Sequence, residues 1–230
     1  MSNKNKLQRF LEVQALPNVL ENQGYDDPHV RDAVGKRIDI KGRWNSLFFK
    51  NEQPIVLELA CGKGEYTIAL AQQDMHRNFI GIDIKGARLW KGATYAHEHG
   101  MTNVGFLRTR IEMINTFFAK GEVDEIWITF PDPFLRESKS NRRLTSHPFL
   151  DRYTRILRPG AQLTLITDDD SLFQFTLDVL NERKDYMIGS STWDLYEGQH
   201  PDPDTTLLTY YERQHLAAGK TIKKVTAIFQ

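Results

Sequence analysis

A glycine-bearing turn and a later aspartate have the residue types and spacing of a site that binds a nucleoside. The segment 58–64 (Glu-Leu-Ala-Cys-Gly-Lys-Gly) ends an apolar run, and a helix is predicted to begin at Glu65. Glycines in such a turn let the backbone approach a ligand closely and direct free N–H groups at it. Asp83 ends the next apolar run, about 20 residues further on, where doubly wound nucleotide sites place the acid that binds a ribose hydroxyl.

The details of this turn favour S-adenosylmethionine over NAD as its ligand. Gly62 and Gly64 match the first two glycines of the dinucleotide fingerprint, but Thr67 occupies the third glycine position, which weakens a pyrophosphate site. A fixed carboxylate at Glu58 would repel phosphate and attract the cationic amino-acid end of S-adenosylmethionine. We therefore predict that Glu58, Gly62, Gly64 and Asp83 bind this cofactor. The alternatives are a tight structural turn for the glycines and a helix N-cap for Asp83.

The main candidate for chemistry is Asp132, which stands between two prolines in the segment 130–134 (Phe-Pro-Asp-Pro-Phe). Each proline fixes its own φ and restricts the residue before it, so a stiff, extended turn is predicted. Ligands of an open parallel sheet bind at the carboxyl ends of its strands. A carboxylate after the fourth strand would therefore face a ligand that is held after the first. The alternative is a surface aspartate in a Pro-x-Pro turn.

Bringing these segments together requires a parallel sheet, and the apolar pattern predicts one. After Pro54, apolar runs alternate with amphipathic stretches, which predicts five buried strands separated by helices. We predict an α/β fold with a single doubly wound, mostly parallel, Rossmann-like sheet in residues 51–230. Residues 1–50 are interpreted as an N-terminal extension, and residues 193–204 as an exposed loop before a last strand at 225–229.

Composition and residue spacing exclude several classes of protein. The 230 residues include 30 basic and 30 acidic ones, so the formal charge of zero excludes a histone-like polycation. No apolar run approaches the 18 residues that suggest a membrane helix, and we expect a soluble, cytoplasmic protein. No pair of histidines has convincing metal-ligand spacing, so no metal is expected. Cys61, the one cysteine, has no histidine near it in sequence to activate it as a nucleophile.

In combination, four segments resemble the bacterial tRNA (guanine-N7-)-methyltransferase family: 58–64, Asp83, 130–134 and 209–212 (Thr-Tyr-Tyr-Glu). The resemblance extends from about residue 55 to residue 222. It implies a class I methyltransferase fold, S-adenosylmethionine as methyl donor, and the variable-loop guanosine of tRNA (position 46) as acceptor. It also implies catalysis by Asp132. The positions that match the family's substrate-binding residues are Arg136, Asp168, Thr209, Tyr210, Tyr211 and Glu212.

The chain departs from the family pattern in a few places. Arg110 and Ile111 stand where the family usually carries an aspartate-alanine pair, so a backbone contact to the adenine of the cofactor would have to replace a carboxylate. Phe134 replaces the usual tryptophan. The carboxylates remain, and we interpret the departures as those of a sub-branch that keeps its activity. Asp168 has a helix N-cap as its alternative role.

The expected chemistry needs no general base, because guanine N7 carries a bare lone pair. A carboxylate at Asp132 or Glu212 can accept hydrogen bonds from the opposite edge of guanine and offset the charge that develops on the ring. Local positive charge must then bind the RNA. We predict that Arg136, Arg142 and Arg143 contact phosphates from a loop beside Asp132, with a solvated charge cluster as the alternative.

Two other functions remain open on the sequence. One is an amino-methyltransferase that acts on adenine or cytosine of RNA, since such enzymes also carry a proline-bearing turn after the fourth strand. The other is a non-catalytic RNA-binding protein on a methyltransferase fold, which the altered Arg110 would suit. An NAD-dependent dehydrogenase is a weaker alternative. Beyond tRNA, no DNA, membrane or obligatory protein partner is expected.

Overall fold

The computed structural model describes residues 5–197 and 210–230, in which ten strands form one sheet and seven α-helices pack around it. The strands are β1 (Val19–Gly24), β2 (Asp27–Arg31), β3 (Arg37–Ile38), β4 (Ile55–Leu59), β5 (Asn78–Asp83), β6 (Val104–Arg108), β7 (Val123–Thr129), β8 (Leu157–Thr167), β9 (Tyr186–Thr192) and β10 (Lys223–Phe229). The α-helices are α1 (Lys6–Gln14), α2 (Glu65–Gln73), α3 (Gly86–Glu98), α4 (Ile114–Phe117), α5 (His147–Tyr153), α6 (Asp170–Glu182) and α7 (Tyr210–Ala217). Two 3₁₀ turns cover Ile111–Met113 and Glu137–Arg142, and a π-helix covers Trp44–Phe49.

The strand order is β3-β2-β1-β6-β5-β4-β7-β8-β10-β9, and its central part is parallel. Strand β4 pairs in parallel with β5 on one side and with β7 on the other. The chain therefore builds outward from β4 through β5 to β6 and then returns to β7 on the opposite side. This reversal makes the β4–β7 border the topological switch point, where open α/β sheets bind ligands. The predicted doubly wound, mostly parallel sheet is confirmed.

The central strands are buried because apolar residues cover both of their faces. Every residue of β4 and β5 is buried, as expected of parallel strands between two helical layers. Neighbouring residues point to opposite faces, so Leu57 and Ile80 belong to one apolar core while Val56 and Phe79 belong to the other. The two cores clamp the sheet and fix the position of its carboxyl edge.

The N-terminal extension contributes strands to the same sheet. Strand β1 pairs in parallel with β6, and β2 and β3 follow it antiparallel. Helix α1 packs on α3, where the Trp90 indole N–H donates to the Glu12 carboxylate at 2.7 Å. The sequence showed no regular pattern here because these strands are short and mostly polar. The division into residues 1–50 and 51–230 stays a prediction, although the sheet itself crosses that boundary.

Two further differences from the sequence pattern lie near the C-terminus. Strand β9 was not predicted, because it is an edge strand whose residues are mostly exposed and polar. Strand β10 begins at Lys223, two residues before the last strand that the sequence predicts at 225–229. Of the predicted loop at 193–204, residues 198–204 lie outside the described residues. Nowhere in the described ranges is a helix both long and apolar enough to cross a membrane.

Candidate active site

The turns that follow β4, β5 and β6 are hydrogen-bonded to one another at the carboxyl edge of the sheet. The backbone N–H of Cys61 donates to the Ile82 carbonyl at 3.1 Å, and that of Thr109 donates to the Asp83 carbonyl at 3.2 Å. On the other side of β4, Phe130 at the end of β7 donates to the Ile166 carbonyl of β8 at 2.8 Å. The sheet thus brings the predicted glycine turn, Asp83 and the start of the proline turn to one edge.

Glu58 is buried, with 4% exposure, and neighbouring elements bind both of its carboxylate oxygens. Oε2 accepts from the backbone N–H of Thr67 at 2.8 Å and from the Thr67 hydroxyl, while Oε1 accepts from the Thr129 hydroxyl at 2.8 Å. Burial is the main cause that raises the pKa of Glu58 to about 7, and the threonine hydrogen bonds oppose it. Thr67, which breaks the glycine fingerprint, therefore anchors Glu58 to the first turn of α2.

Glycine occupies the two positions of this turn for different structural reasons. Both lie in the left-handed region, with φ of 57° at Gly62 and 70° at Gly64. A Cβ at Gly64 would lie 2.6 Å from the Phe106 ring, so this glycine is needed for packing. A Cβ at Gly62 would meet no heavy atom closer than 4.0 Å, and this residue lines the neighbouring cleft. Gly62 is therefore the glycine at which a ligand can approach the backbone.

Asp83 is buried at 8% exposure and holds the glycine turn in place. Its Oδ2 accepts from the backbone N–H of Gly62 at 3.0 Å, and its Oδ1 accepts from that of Lys85 at 2.8 Å. Because Lys85 itself occupies the N-cap position of α3, the N-cap alternative for Asp83 is wrong. A carboxylate oxygen can accept more than one hydrogen bond, so these contacts are compatible with an additional ribose hydroxyl.

Arg110 and Ile111 lie at the same edge, directly after Thr109. The Arg110 side chain is exposed, and its guanidinium carbon lies 5.4 Å from the centroid of the Tyr25 ring. Ile111 begins a 3₁₀ turn and packs partly buried against the core. The residue that replaces the family's aspartate is thus in contact with the N-terminal extension.

A cleft connects the glycine turn with the end of β7. It contains about 510 Å³ of empty space, which includes open solvent. Its walls combine the acidic Glu58 with the basic Lys63 and Arg88. The complete lining is Glu58, Ala60, Cys61, Gly62, Lys63, Glu65, Tyr66, Arg88, Thr129 and Phe130. Among the described residues, no group of three His, Cys, Asp or Glu side chains could hold a metal ion.

The turn that carries Asp132 has a strained backbone. Phe130 and Phe134, one on each side of it, adopt left-handed φ angles of 46° and 44°. Such conformations cost about 1–3 kcal/mol each in residues other than glycine and persist only where the surroundings hold them. Asp132 itself is exposed, and its Oδ1 accepts from the Phe134 N–H at 3.1 Å. The predicted stiff turn is therefore present, with the carboxylate at the surface beside the cleft.

The Arg143 side chain is hydrogen-bonded to the backbone of this turn. Its side chain is buried at 5% exposure, and its Nε and Nη2 donate to the carbonyls of Pro133 and Phe134 at 3.1 and 3.3 Å. The guanidinium carbon also lies 4.3 Å from the centroid of the Phe175 ring. A phosphate contact by Arg143 does not fit this environment, and that interpretation was wrong. Arg136 and Arg142 remain exposed, at the two ends of the 3₁₀ turn.

Asp168 connects the end of β8 to α7. Its carboxylate accepts from Lys220 at 2.6 Å and lies 3.3 Å from His215. Burial disfavours the charged form, but the hydrogen bond from Lys220 and the charges of His215 and Lys220 outweigh it, so the pKa of Asp168 is lowered. The N-cap of α6 is Asp169, which accepts from Leu172 N at 2.8 Å, so the N-cap alternative for Asp168 is wrong.

Helix α7 contacts two residues that line the cleft: its Glu212 contacts Tyr66, and its His215 contacts Phe130. The imidazole of His215 stacks on the Phe130 ring with centroids 5.4 Å apart. Glu212 is buried at 1% exposure, and its Oε1 accepts from the hydroxyls of Tyr66 and Tyr196. Thr209 lies outside the described residues, while Tyr210 and Tyr211 begin α7. The substrate roles of these residues stay predictions.

Comparison with known proteins agrees with this architecture. The chain resembles the 16S rRNA methyltransferase KamB with a TM-score of 0.59 and 16% identity, over 85% of this chain and 97% of that one. It resembles a variant of the 16S rRNA (adenine(1408)-N(1))-methyltransferase from Catenulisporales acidiphilia, solved with its cosubstrate SAM, with a TM-score of 0.59 and 15% identity over 84% and 93% of the two chains. At these identities the likeness shows the fold, which is that of class I methyltransferases.

Sequence comparison is more specific. Residues 52–225 match a family model described as "Putative methyltransferase". A tRNA (guanine-N(7)-)-methyltransferase from Christiangramia forsetii is 44% identical over 223 residues, 96% of each chain. One from Bacteroides thetaiotaomicron is 43% identical over 222 residues, 96% of this chain and 84% of the relative. The resemblance seen in the sequence motifs is thereby confirmed, and the chain belongs to the tRNA (guanine-N(7)-)-methyltransferase family.

Proposed function

We propose that the protein transfers a methyl group from S-adenosylmethionine to N7 of a guanosine in tRNA. The relatives that align with 96% of the chain carry this activity in their names. The observation that carries the proposal is the placement of two turns on opposite sides of the switch point. A glycine turn held by Asp83 lies on one side, and the strained turn of Asp132 lies on the other. The cleft runs from the first to the second.

The residues around the cleft suit S-adenosylmethionine. Gly62 leaves room for a ligand to approach the backbone, and the Glu58 wall is acidic, as a cationic ligand requires. Asp83 would accept from the ribose, and Arg110 and Ile111 would flank the adenine through the backbone. When bound, the cofactor supplies the electrophilic methyl group. Glu58 and Asp83 have the task of binding it and fixing its orientation.

Asp132 would act on the base that receives the methyl group. Guanine N7 needs no deprotonation, so holding the reactants in a near-attack geometry is the main task, and it contributes up to roughly 7–11 kcal/mol in ideal cases. The ring becomes cationic as the new bond forms. The Asp132 carboxylate beside the cleft would stabilise that charge, and its prolines and Arg143 keep it from moving.

The acceptor is proposed to be the variable-loop guanosine, on the family resemblance. Arg136 and Arg142 are exposed at the two ends of the 3₁₀ turn that follows Asp132, so they are placed to contact RNA phosphates. Asp168 and the segment 209–212 are proposed to contact the nucleoside. With tRNA as its substrate, the protein is proposed to act in the cytoplasm.

Incubation with labelled S-adenosylmethionine and an unmodified tRNA transcript tests the proposal. We expect 7-methylguanosine, which makes the strand cleavable after mild reduction and aniline treatment, at one site in the variable loop. A matched transcript with adenosine at that site is the control and should accept no label. Methyladenosine or methylcytidine in the product would replace the proposal with an amino-methyltransferase. Binding of tRNA and cofactor without any transfer would indicate an RNA-binding protein.

A further inference from the structure

A buried hydrogen-bond network joins α2, the helix that follows the glycine turn, to α7. The Tyr66 hydroxyl donates to Glu212 Oε1 at 2.5 Å, and the Tyr196 hydroxyl donates to the same oxygen at 3.0 Å. Glu212 is 1% exposed and Tyr66 is 5% exposed. A carboxylate in such an environment depends on its donors, because an unpaired buried charge is costly. The two tyrosines therefore help to fix the position of the Glu212 carboxylate.

Tyr66 also lines the cleft that we propose binds the cofactor. The next residue along α2 is Thr67, which is hydrogen-bonded to Glu58. Its ring stacks on Trp127 of β7, with centroids 6.3 Å apart and planes 28° apart. Burial and the negative charge of Glu212 raise the pKa of Tyr66, so its hydroxyl stays a proton donor. Tyr66 thus lines the cleft and also contacts α7 through its hydroxyl.

We infer that Tyr66 is a positioning residue that couples the cofactor cleft to substrate binding by α7 through Glu212, with Tyr196 as the second donor. This inference rests on the proposed function, because it takes Glu212 as part of the tRNA-binding segment. Occupation of the cleft restrains the Tyr66 ring, which fixes the hydroxyl and hence the Glu212 carboxylate. Nucleic acid should then bind more tightly to the cofactor-loaded protein than to the free one.

The Tyr66→Phe variant isolates the hydroxyl, because it keeps the ring that stacks on Trp127. We expect S-adenosylhomocysteine to bind within about twofold of wild type, while kcat/KM for tRNA falls about tenfold, a change of roughly 1.4 kcal/mol. The increase in tRNA affinity that S-adenosylhomocysteine causes should also largely disappear. In a Glu212→Gln background, adding Tyr66→Phe should change kcat/KM by less than about twofold, because coupled residues are not additive.

Tyr153→Phe is the matched control. It also removes one buried tyrosine hydroxyl, which donates to the Leu144 carbonyl at 3.0 Å away from the cleft. Its kcat/KM and its cofactor–tRNA coupling should equal those of wild type, whatever its melting temperature. Tyr196→Phe should reproduce the tRNA defect of Tyr66→Phe.

Three results would overturn the inference in an enzyme that makes 7-methylguanosine. They are a Tyr66→Phe variant that behaves like Tyr153→Phe, a fall in cofactor affinity as large as the fall in kcat/KM, and additive effects with Glu212→Gln. A wild-type protein that makes no 7-methylguanosine would instead overturn the proposed function, and the inference with it.

Discussion

Replacing Arg143 with methionine tests whether its buried side chain holds the Asp132 turn. The change removes two hydrogen bonds from a charged donor, each worth about 1.5–3 kcal/mol. It also removes a cation–π contact with Phe175, worth up to about 2 kcal/mol when desolvated. The cost of burying a guanidinium, several kcal/mol, disappears at the same time. Methionine fills most of the space, so we expect a net loss of roughly 2–4 kcal/mol in the free energy of unfolding.

The same substitution should slow methyl transfer, because the strained turn loses its hydrogen bonds to the Arg143 side chain. A displacement of about 1 Å can cost a factor of about a hundred in rate, so we expect a 10- to 100-fold fall in the single-turnover rate. Affinity for S-adenosylmethionine should change little, because Arg143 does not line the cleft.

Urea unfolding and a single-turnover assay with saturating tRNA measure the two effects of Arg143→Met. Arg142→Met is the matched control, because Arg142 is the adjacent arginine and its side chain is exposed. It should keep the free energy of unfolding within about 0.5 kcal/mol of wild type and affect only tRNA affinity. An Arg143→Met variant with wild-type stability and wild-type transfer rate would refute the reasoning.

Asp132→Asn should lower methyl transfer at least about a hundredfold while cofactor affinity changes much less, because asparagine can still accept from Phe134 N but carries no charge; near-normal turnover would leave Asp132 as a turn residue only. Alanine at both Arg136 and Arg142 should weaken tRNA binding and flatten its dependence on salt, and salt slopes equal to wild type would make them solvated charges. The folded-state pKa of Glu58, about 7, lies above its usual value of about 4.5, so the stability it contributes is present below pH 4.5 and is lost as the pH rises through 7. We expect the free energy of unfolding of Glu58→Gln to fall by roughly 3 kcal/mol less than that of wild type as the pH rises through this range, which unfolding measured at several pH values would show. If it falls as steeply as in wild type, groups other than Glu58 cause the decline.

The central sheet was predictable because its signal is local. Each buried strand is a short apolar run, and the order of runs and helices then limits the topology to few choices. The pairing of Asp83 with the glycine turn followed from the same logic, since both end neighbouring strands. The N-terminal strands escaped prediction because β1 is stabilised by its pairing with β6, more than 80 residues away, and a sequence window contains no trace of that partner.

The supporting residues of the site were less predictable for a different reason. Arg142 and Arg143 are identical in type and adjacent in sequence, yet one is exposed and the other is 5% exposed. Only the positions of Pro133 and Phe134 in space distinguish them. Thr67 counted against a pyrophosphate site when it was compared with the glycine fingerprint, but its hydroxyl and N–H bind Glu58. Tyr66 carried no signal at all, because an aromatic residue in an amphipathic helix is usually a core residue.

These supporting residues share one physical role. Two parts of the site are each fixed by a buried polar partner from another element: Glu58 by Thr129 of β7, and the Asp132 turn by Arg143. A buried donor has few alternative partners, so it holds its acceptor in one geometry, as preorganised electrostatic stabilisation requires. Because Thr129 lies in the same strand that leads into the Asp132 turn, the Glu58 wall of the cleft and the Asp132 turn share β7 as a common support. A shift of β7 would therefore displace both sites together.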